Sequence, residues 1–268
     1  VATPHVGGPG HNTHKDIKRD ELGLIEVPSE IWRDIVFINL NSNAGPFAAY
    51  GGDLMARWHQ FEGQKLFHTG ADSGFRFDVA CNWKLAVENF CESYHLPWVH
   101  PGLNSYSKLE DHYHIENPGQ YSGQGTMAYR APSAGDGQKF PDFASLSDKW
   151  NAGAEYIALY PNALLGVHRD HAFVIILQPV AHDRTIEHVA IYYPQAATGA
   201  EFGDLRARNA ALWRSVLEED LWVVEDLQRG RHSPGFDGGR FSPVMDSPTH
   251  CFHQWVASRM MDKSVDLS

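Results

Sequence analysis

Residues 82–103, NWKLAVENFCESYHLPWVHPGL, set Glu88, Glu92, His95 and His100 into a run that otherwise patterns as a buried helix. Pro97 disfavours helical geometry at Leu96, so the expected helix ends near His95 and the chain turns to bring His100 back within reach of it. Two imidazoles at a helix C-terminus, where backbone carbonyls carry partial negative charge, suit a divalent cation. The spacing alone is weak, because 16 histidines in 268 residues give about one H-x4-H pair by chance, the number this sequence contains.

A third residue strengthens the case. Over 203–230 a helical pattern places Leu205, Leu212, Val216, Val223, Val224 and Leu227 on a core-facing stripe. Asp220 lies four residues from both Val216 and Val224, where an apolar side chain belongs. A carboxylate buried there needs an arginine, a hydrogen-bond network or a metal. Arg214 and Arg229 are near in sequence, but their helical phase points them elsewhere. Two histidines and one aspartate are the ligand set of non-haem Fe(II) sites, which keep positions open for oxygen and substrate. Zinc on the same triad, serving a hydrolase, is the competing reading. A non-enzymatic ligand-binding module with incidental histidines is the third.

These residues need a scaffold. Asn82 is a helix N-cap, and Trp83, Val87, Phe90 and Tyr94 follow as one apolar stripe. Glu88, Glu92 and His95 then lie on the neighbouring face. GFRFDVACN (74–82) alternates as a strand running into this motif. GQGTMAYRA, EYIALYPNALLGV, HAFVIILQPVA and TIEHVAIYYP supply four further strand-like segments between 123 and 194. Short polar turns between them imply antiparallel pairing rather than βαβ units. Helices are expected over 46–61, 203–230 and 249–262, and IVFINL within 26–41 reads as an isolated early strand. The fold class is α+β, an antiparallel sheet with long helices on one face. Composition shifts near 41–46, which divides the chain into 1–45 and 46–268, with residues 1–23 reading as loop.

Other clusters carry less weight. HRDH (168–171) falls between two strands and reads as a solvated hairpin tip. His112 and His114 share a face if extended. Ser107 and Ser242 lack a nucleophile-elbow context, and Phe252, Trp255, Val256 and Arg259 form a packing face of the last helix. A net charge of −11 argues against nucleic acid or an anionic membrane as partner. No apolar run reaches membrane-spanning length, and three cysteines (Cys81, Cys91, Cys251) make no disulfide framework, so a cytoplasmic location is expected.

NWKLAVENFCESYHLPWVHPG, with EEDLWVVEDLQRGRHSPG and CFHQW downstream, resembles the catalytic part of Rieske non-haem iron oxygenase α subunits over nearly the whole chain. The resemblance implies a helix-grip, START-like domain in which His95, His100 and Asp220 bind Fe(II), with Glu219 and Asp226 as nearby acids that are not ligands. It makes Glu92 the carboxylate that bridges electrons across a subunit boundary, and Asn89 and Phe90 supporting or pocket residues. Glutamate at position 92 resembles the branch acting on choline, carnitine and betaine-like substrates, though it is not confined to it. It further implies a small aromatic or quaternary-ammonium-like substrate, O2, a reductase or ferredoxin drawing on NAD(P)H, and a homotrimer or α3β3 assembly. The reaction would be mono- or dioxygenation, or oxidative demethylation. A Rieske [2Fe–2S] cluster needs C-x-H and C-x2-H, and only Cys251-Phe252-His253 has the first spacing. Residues 1–45 are therefore expected to be the β remnant of the cluster domain, with the cluster motifs upstream of an incomplete chain.

Overall fold

The computed structural model describes residues 23–133, 135 and 137–261. The expected loop over 1–23 falls outside them, save Gly23. By its contacts the chain divides between Tyr50 and Gly51.

In the first unit, β1 (Ser29–Trp32) and β2 (Ile35–Ile38) pair antiparallel. The expected strand IVFINL narrows to β2. Arg33 and Asp34 turn between the strands with φ of 52° and 63°, the left-handed geometry that tight hairpins require. Trp32, Phe37 and Phe47 cluster beside the hairpin, with the Phe37 and Phe47 rings 4.6 Å apart. Phe47 opens α1 (Phe47–Arg57), the first of the expected helices.

The second unit is built on a seven-stranded sheet. Its strands are β3 (Gly74–Val79), β4 (His112–Asn117), β5 (Tyr121–Thr126), β6 (Ala154–Leu159), β7 (Ala163–Val167), β8 (Ala172–Ala181) and β9 (Arg184–Tyr192). They lie in the order β3-β9-β8-β7-β6-β5-β4, every pair antiparallel. Two expectations need correction. EYIALYPNALLGV is two strands, because Tyr160–Asn162 reverse the chain at Pro161, which has no amide for a ladder. HYHIEN, read only as a histidine cluster, is the edge strand β4.

Tyr160, Phe173, Ile175, Leu177, Val189 and Ile191 build one apolar layer of this sheet. Against it pack α2 (Trp83–Cys91), α5 (Gly203–Arg231) and α6 (Ser247–Met261), through Val87, Cys91, Leu205, Trp213 and Phe252 among others. Phe252, Trp255 and Val256 are packing residues of α6, as their spacing implies.

Glu155 on β6 is fully buried and accepts hydrogen bonds from Arg57 at 2.8 and 3.0 Å, Trp58 Nε1 at 2.7 Å, Lys149 at 2.6 Å and Tyr113 Oη at 2.9 Å. Burial raises its pKa, but the Arg57, Lys149 and Trp58 donors outweigh that and hold it below the ordinary 4.5. Glu155→Ala strands these donors and should cost about 3–5 kcal/mol, read from urea unfolding. A depressed folded-state pKa stabilises fully above the unfolded value. The Glu155 contribution should therefore fade as pH falls below about 4.5, and the wild type and variant should converge there.

Candidate metal centre

Asn82 caps α2 by accepting from the Lys84 amide at 3.1 Å. The helix stops at Cys91, because Glu92 is extended (φ −120°, ψ 157°) and its carboxylate accepts from the amides of Tyr94 and His95. A further helical turn would have used those amides. This corrects the expected helix end near His95, and Tyr94 leaves the buried stripe to lie exposed against Trp98. Pro97 sits in the first turn of α3 (Leu96–Val99), where its missing N–H costs nothing. It therefore helps to start a helix as well as to end the previous segment. His100 closes α3 and precedes α4 (Pro101–Asn104). His95 and His100 thus flank one helical turn, with ring centroids 5.1 Å apart.

Asp220 comes from α5. The buried line of this helix runs through Leu205, Arg206, Asn209, Trp213 and Val224, with Val216 and Leu217 partly buried. Leu212 and Leu227, expected on the stripe, are exposed. At about 100° per residue Leu212 falls at the stripe's edge and Trp213 nearer its centre, while Leu227 lies beyond Val224, the last buried residue. Asp220 falls near the middle of this line, with 15% of its side chain accessible. Arg214 and Arg229 are engaged by Glu218 and Asp226, not by Asp220. Gln228 and Glu225 hold α5 in place by accepting from the amides of Asn82 at 2.8 Å and Ala80 at 3.1 Å.

His95 Nδ1 donates to Glu92 Oε1 at 2.5 Å, and His100 Nδ1 donates to Glu219 Oε2 at 2.8 Å. Each bond turns the Nε2 lone pair toward Asp220 Oδ1, at 3.5 Å from His95 and 3.0 Å from His100. Asp220 Oδ1 is nevertheless buried without an aligned hydrogen-bond donor. Two acceptor nitrogens and an acceptor oxygen within 4.8 Å of one another form a hole for a cation. The donor set fits a divalent metal. Glu219, weighed in the sequence only as a decoy ligand, instead orients His100. A carboxylate adjacent to the ligand on the same helix was the signal that could have found it.

Asn89 and Phe90 lie half-buried on the last turn of α2, and Phe90 packs edge-on to Tyr156 and Phe173. Tyr156 also lines a small cavity. Leu103, one turn past His100, and Val216, one turn before Asp220, form its wall on the side of the triad. HRDH is not a solvated tip. His168, Asp170 and His171 are buried because Trp213 and Tyr129 close over them, and His171 reaches the cavity wall. Only Arg169 points outward, to Asp142. His112 bonds Ser107 Oγ at 3.0 Å and Gln124 Oε1 at 2.8 Å, and burial lowers its pKa.

Residues 66–262 match the family described as "Ring hydroxylating alpha subunit (catalytic domain)". The chain is 26% identical over 246 residues to putrescine 2-hydroxylase of Ralstonia nicotianae, covering 86% of this chain and 63% of that protein. It is 22% identical over 252 residues to the chloroplastic choline monooxygenase of Atriplex hortensis, covering 90% of this chain and 52% of that one. It thus spans roughly half to two-thirds of the length of these relatives. Among solved structures, a quaternary ammonium Rieske monooxygenase studied for carnitine oxidation and inter-subunit electron transfer superposes with a TM-score of 0.68 at 21% identity, over 90% of this chain and 63% of that one. That likeness bears on the fold.

Burial lowers the pKa of His100, but Asp220 and Glu219 more than offset this and raise it above the ordinary 6.5. A raised folded-state pKa stabilises below the unfolded value and loses that stabilisation as pH rises through the folded one. In the metal-free chain, an NMR titration should show His100 more than half protonated at pH 6.5. A divalent ion competes with that proton, so its uptake should strengthen as pH rises. Glu219→Ala should weaken uptake by about 10–100-fold, measured by chelator competition.

Proposed function

Because the chain belongs to the family of ring-hydroxylating α-subunit catalytic domains, we propose that it is the oxygen-activating part of such an oxygenase, with Fe(II) held by His95, His100 and Asp220. The observation that carries this is the unpartnered, buried Asp220 oxygen facing two imidazoles whose tautomers are fixed by Glu92 and Glu219. Ferrous iron supplies the O2 chemistry that side chains cannot.

The chain's own residues do the rest. Glu92 and Glu219 hold the rings in register, and α5 supplies the single negative charge of the ligand set. Glu92 keeps 16% of its side chain accessible while bonded to His95, which suits a carboxylate that links this ligand to a redox group on a neighbouring subunit. The cavity between α4, α5 and the sheet has a largely apolar wall, which would exclude water from a bound substrate. Residues 46–268 are the catalytic part in this reading and 1–45 the end of a [2Fe–2S] domain. Electrons reach it from NAD(P)H through a reductase or ferredoxin, and a trimer brings cluster and iron together. The substrate is a small organic molecule, and the reaction inserts oxygen from O2.

Among the described residues no helix is long and apolar enough to cross a membrane, and all three cysteines are buried free thiols, in keeping with a cytoplasmic enzyme.

Metal analysis of anaerobically prepared protein should return about one iron per chain, as a single three-ligand site requires. Asp220→Ala should lose it, whereas full iron retention would remove Asp220 from the ligand set. Stoichiometric zinc in place of iron would favour the hydrolase. In protein carrying the cluster domain, Glu92→Gln should keep its iron yet slow single-turnover oxidation of the cluster by at least about tenfold; unchanged oxidation would refute the bridging role.

A further inference from the structure

Behind the cavity wall formed by His171 and Tyr129 lies a buried carboxylate, Asp170, with no cationic side chain paired to it. Trp213 Nε1 donates to His171 Nε2 at 2.7 Å. An indole N–H is a donor only, so His171 Nε2 is an unprotonated acceptor and the ring is neutral, with its proton on Nδ1. That proton goes to Asp170 Oδ1 at 2.8 Å, and Tyr129 Oη donates to the same oxygen at 2.8 Å. Asp170 is buried, and its Oδ2 has no partner. Among the described residues no lysine or arginine lies within ion-pair distance of it, and Arg169 turns away to Asp142. His168, stacked on His171 with centroids 4.2 Å apart, adds no positive charge, since burial drives its pKa well below 6.5.

This carboxylate stands directly behind the cavity lining, through His171 and Tyr129. Tyr156 and Trp213 add aromatic faces to the same wall. Asn209, also lining it and itself buried, donates Nδ2 to Tyr193 Oη at 3.1 Å and leaves Oδ1 unpaired. The lining's one cation is Arg130, exposed and lying over the Tyr106 ring at 5.8 Å.

Resting on the oxygenase reading above, we propose that this wall binds the protonated amine of the substrate, with aromatic rings and Asp170 satisfying its charge and Asn209 Oδ1 accepting an N–H. A buried carboxylate attracts a cation across a low-dielectric gap, and aromatic faces do the same through their quadrupoles. An unpaired amide oxygen rewards only a group that still carries hydrogen on nitrogen. Primary and secondary ammonium groups meet both demands, quaternary ammonium meets one, and an alcohol lacks the charge.

The test is calorimetric titration of the iron-loaded and metal-free chain with n-butylammonium, n-butyltrimethylammonium and 1-pentanol. n-Butylammonium should bind at least about tenfold more tightly than either of the others. Asp170→Asn should erase its advantage over the alcohol. Asn209→Leu should erase its advantage over the quaternary ion while keeping that over the alcohol, and it decides the matter if Asp170→Asn does not fold. Equal binding of n-butylammonium and 1-pentanol, or no binding of any probe, would overturn the inference. None of these readings needs turnover. A metal-free or zinc-loaded chain that still prefers n-butylammonium leaves the inference standing where the oxygenase reading has failed. An iron-loaded chain that oxidises a neutral compound and shows no preference overturns the inference alone.

Discussion

Two hydrogen bonds at the far side of the imidazoles govern the site. Neutral histidine has one donor nitrogen and one acceptor, and which is which is set by its partner. Glu92 at His95 and Glu219 at His100 take the Nδ1 protons, so both Nε2 lone pairs converge on Asp220. With no acceptor there, either ring could swap its proton or rotate, and the three atoms would no longer form a cation hole. The carboxylates would also make these nitrogens more basic toward a metal, as ligand-supporting carboxylates do elsewhere.

The rest of the unit serves to hold those carboxylates and Asp220 in fixed relation. Glu92 is pinned because α2 ends at Cys91 and its own side chain caps the chain beyond it. Glu219 and Asp220 are pinned because Gln228 and Glu225 tie α5 to the backbone that enters α2. Both helices rest on the same apolar layer of the sheet, where close packing resists even small shifts. A triad with members about 125 residues apart can be held to tenths of an ångström only on elements this rigid.

Much of this was legible in the sequence. Helical phase marks Asp220 as a carboxylate in a core position, and alternating segments mark the antiparallel sheet. What escaped has physical causes. The α2 terminus depends on a side chain capturing backbone amides, which no periodicity records. Pro97 carries two opposite meanings, because proline ends one helix and fits the first turn of the next. HRDH looks like a hairpin tip by composition, yet Trp213, 42 residues downstream, donates to it and encloses it. Trp213 was itself missed because the stripe was drawn through Leu212, its more conventional neighbour. Local patterns report local geometry, and these three outcomes are decided by partners distant in sequence or by backbone capture.

Four acids of this unit, three buried and Asp220 partly so, show why composition alone could not rank them. Glu155 is surrounded by Arg57, Lys149 and neutral donors, which resolves its charge internally. Glu187 relieves it by holding its proton well above the usual carboxylate range, since burial, reinforced by the charge of Asp220, pushes its pKa up to about 7. Asp220 faces two imidazole nitrogens, answered by the His100 proton in the metal-free chain and by a cation from outside once that proton leaves. Asp170 receives only neutral donors, behind a cavity wall. In sequence all four are acids in apolar surroundings. Since an uncompensated buried charge is expensive, Asp220 and Asp170, which no lysine or arginine answers, are the two that point to something bound.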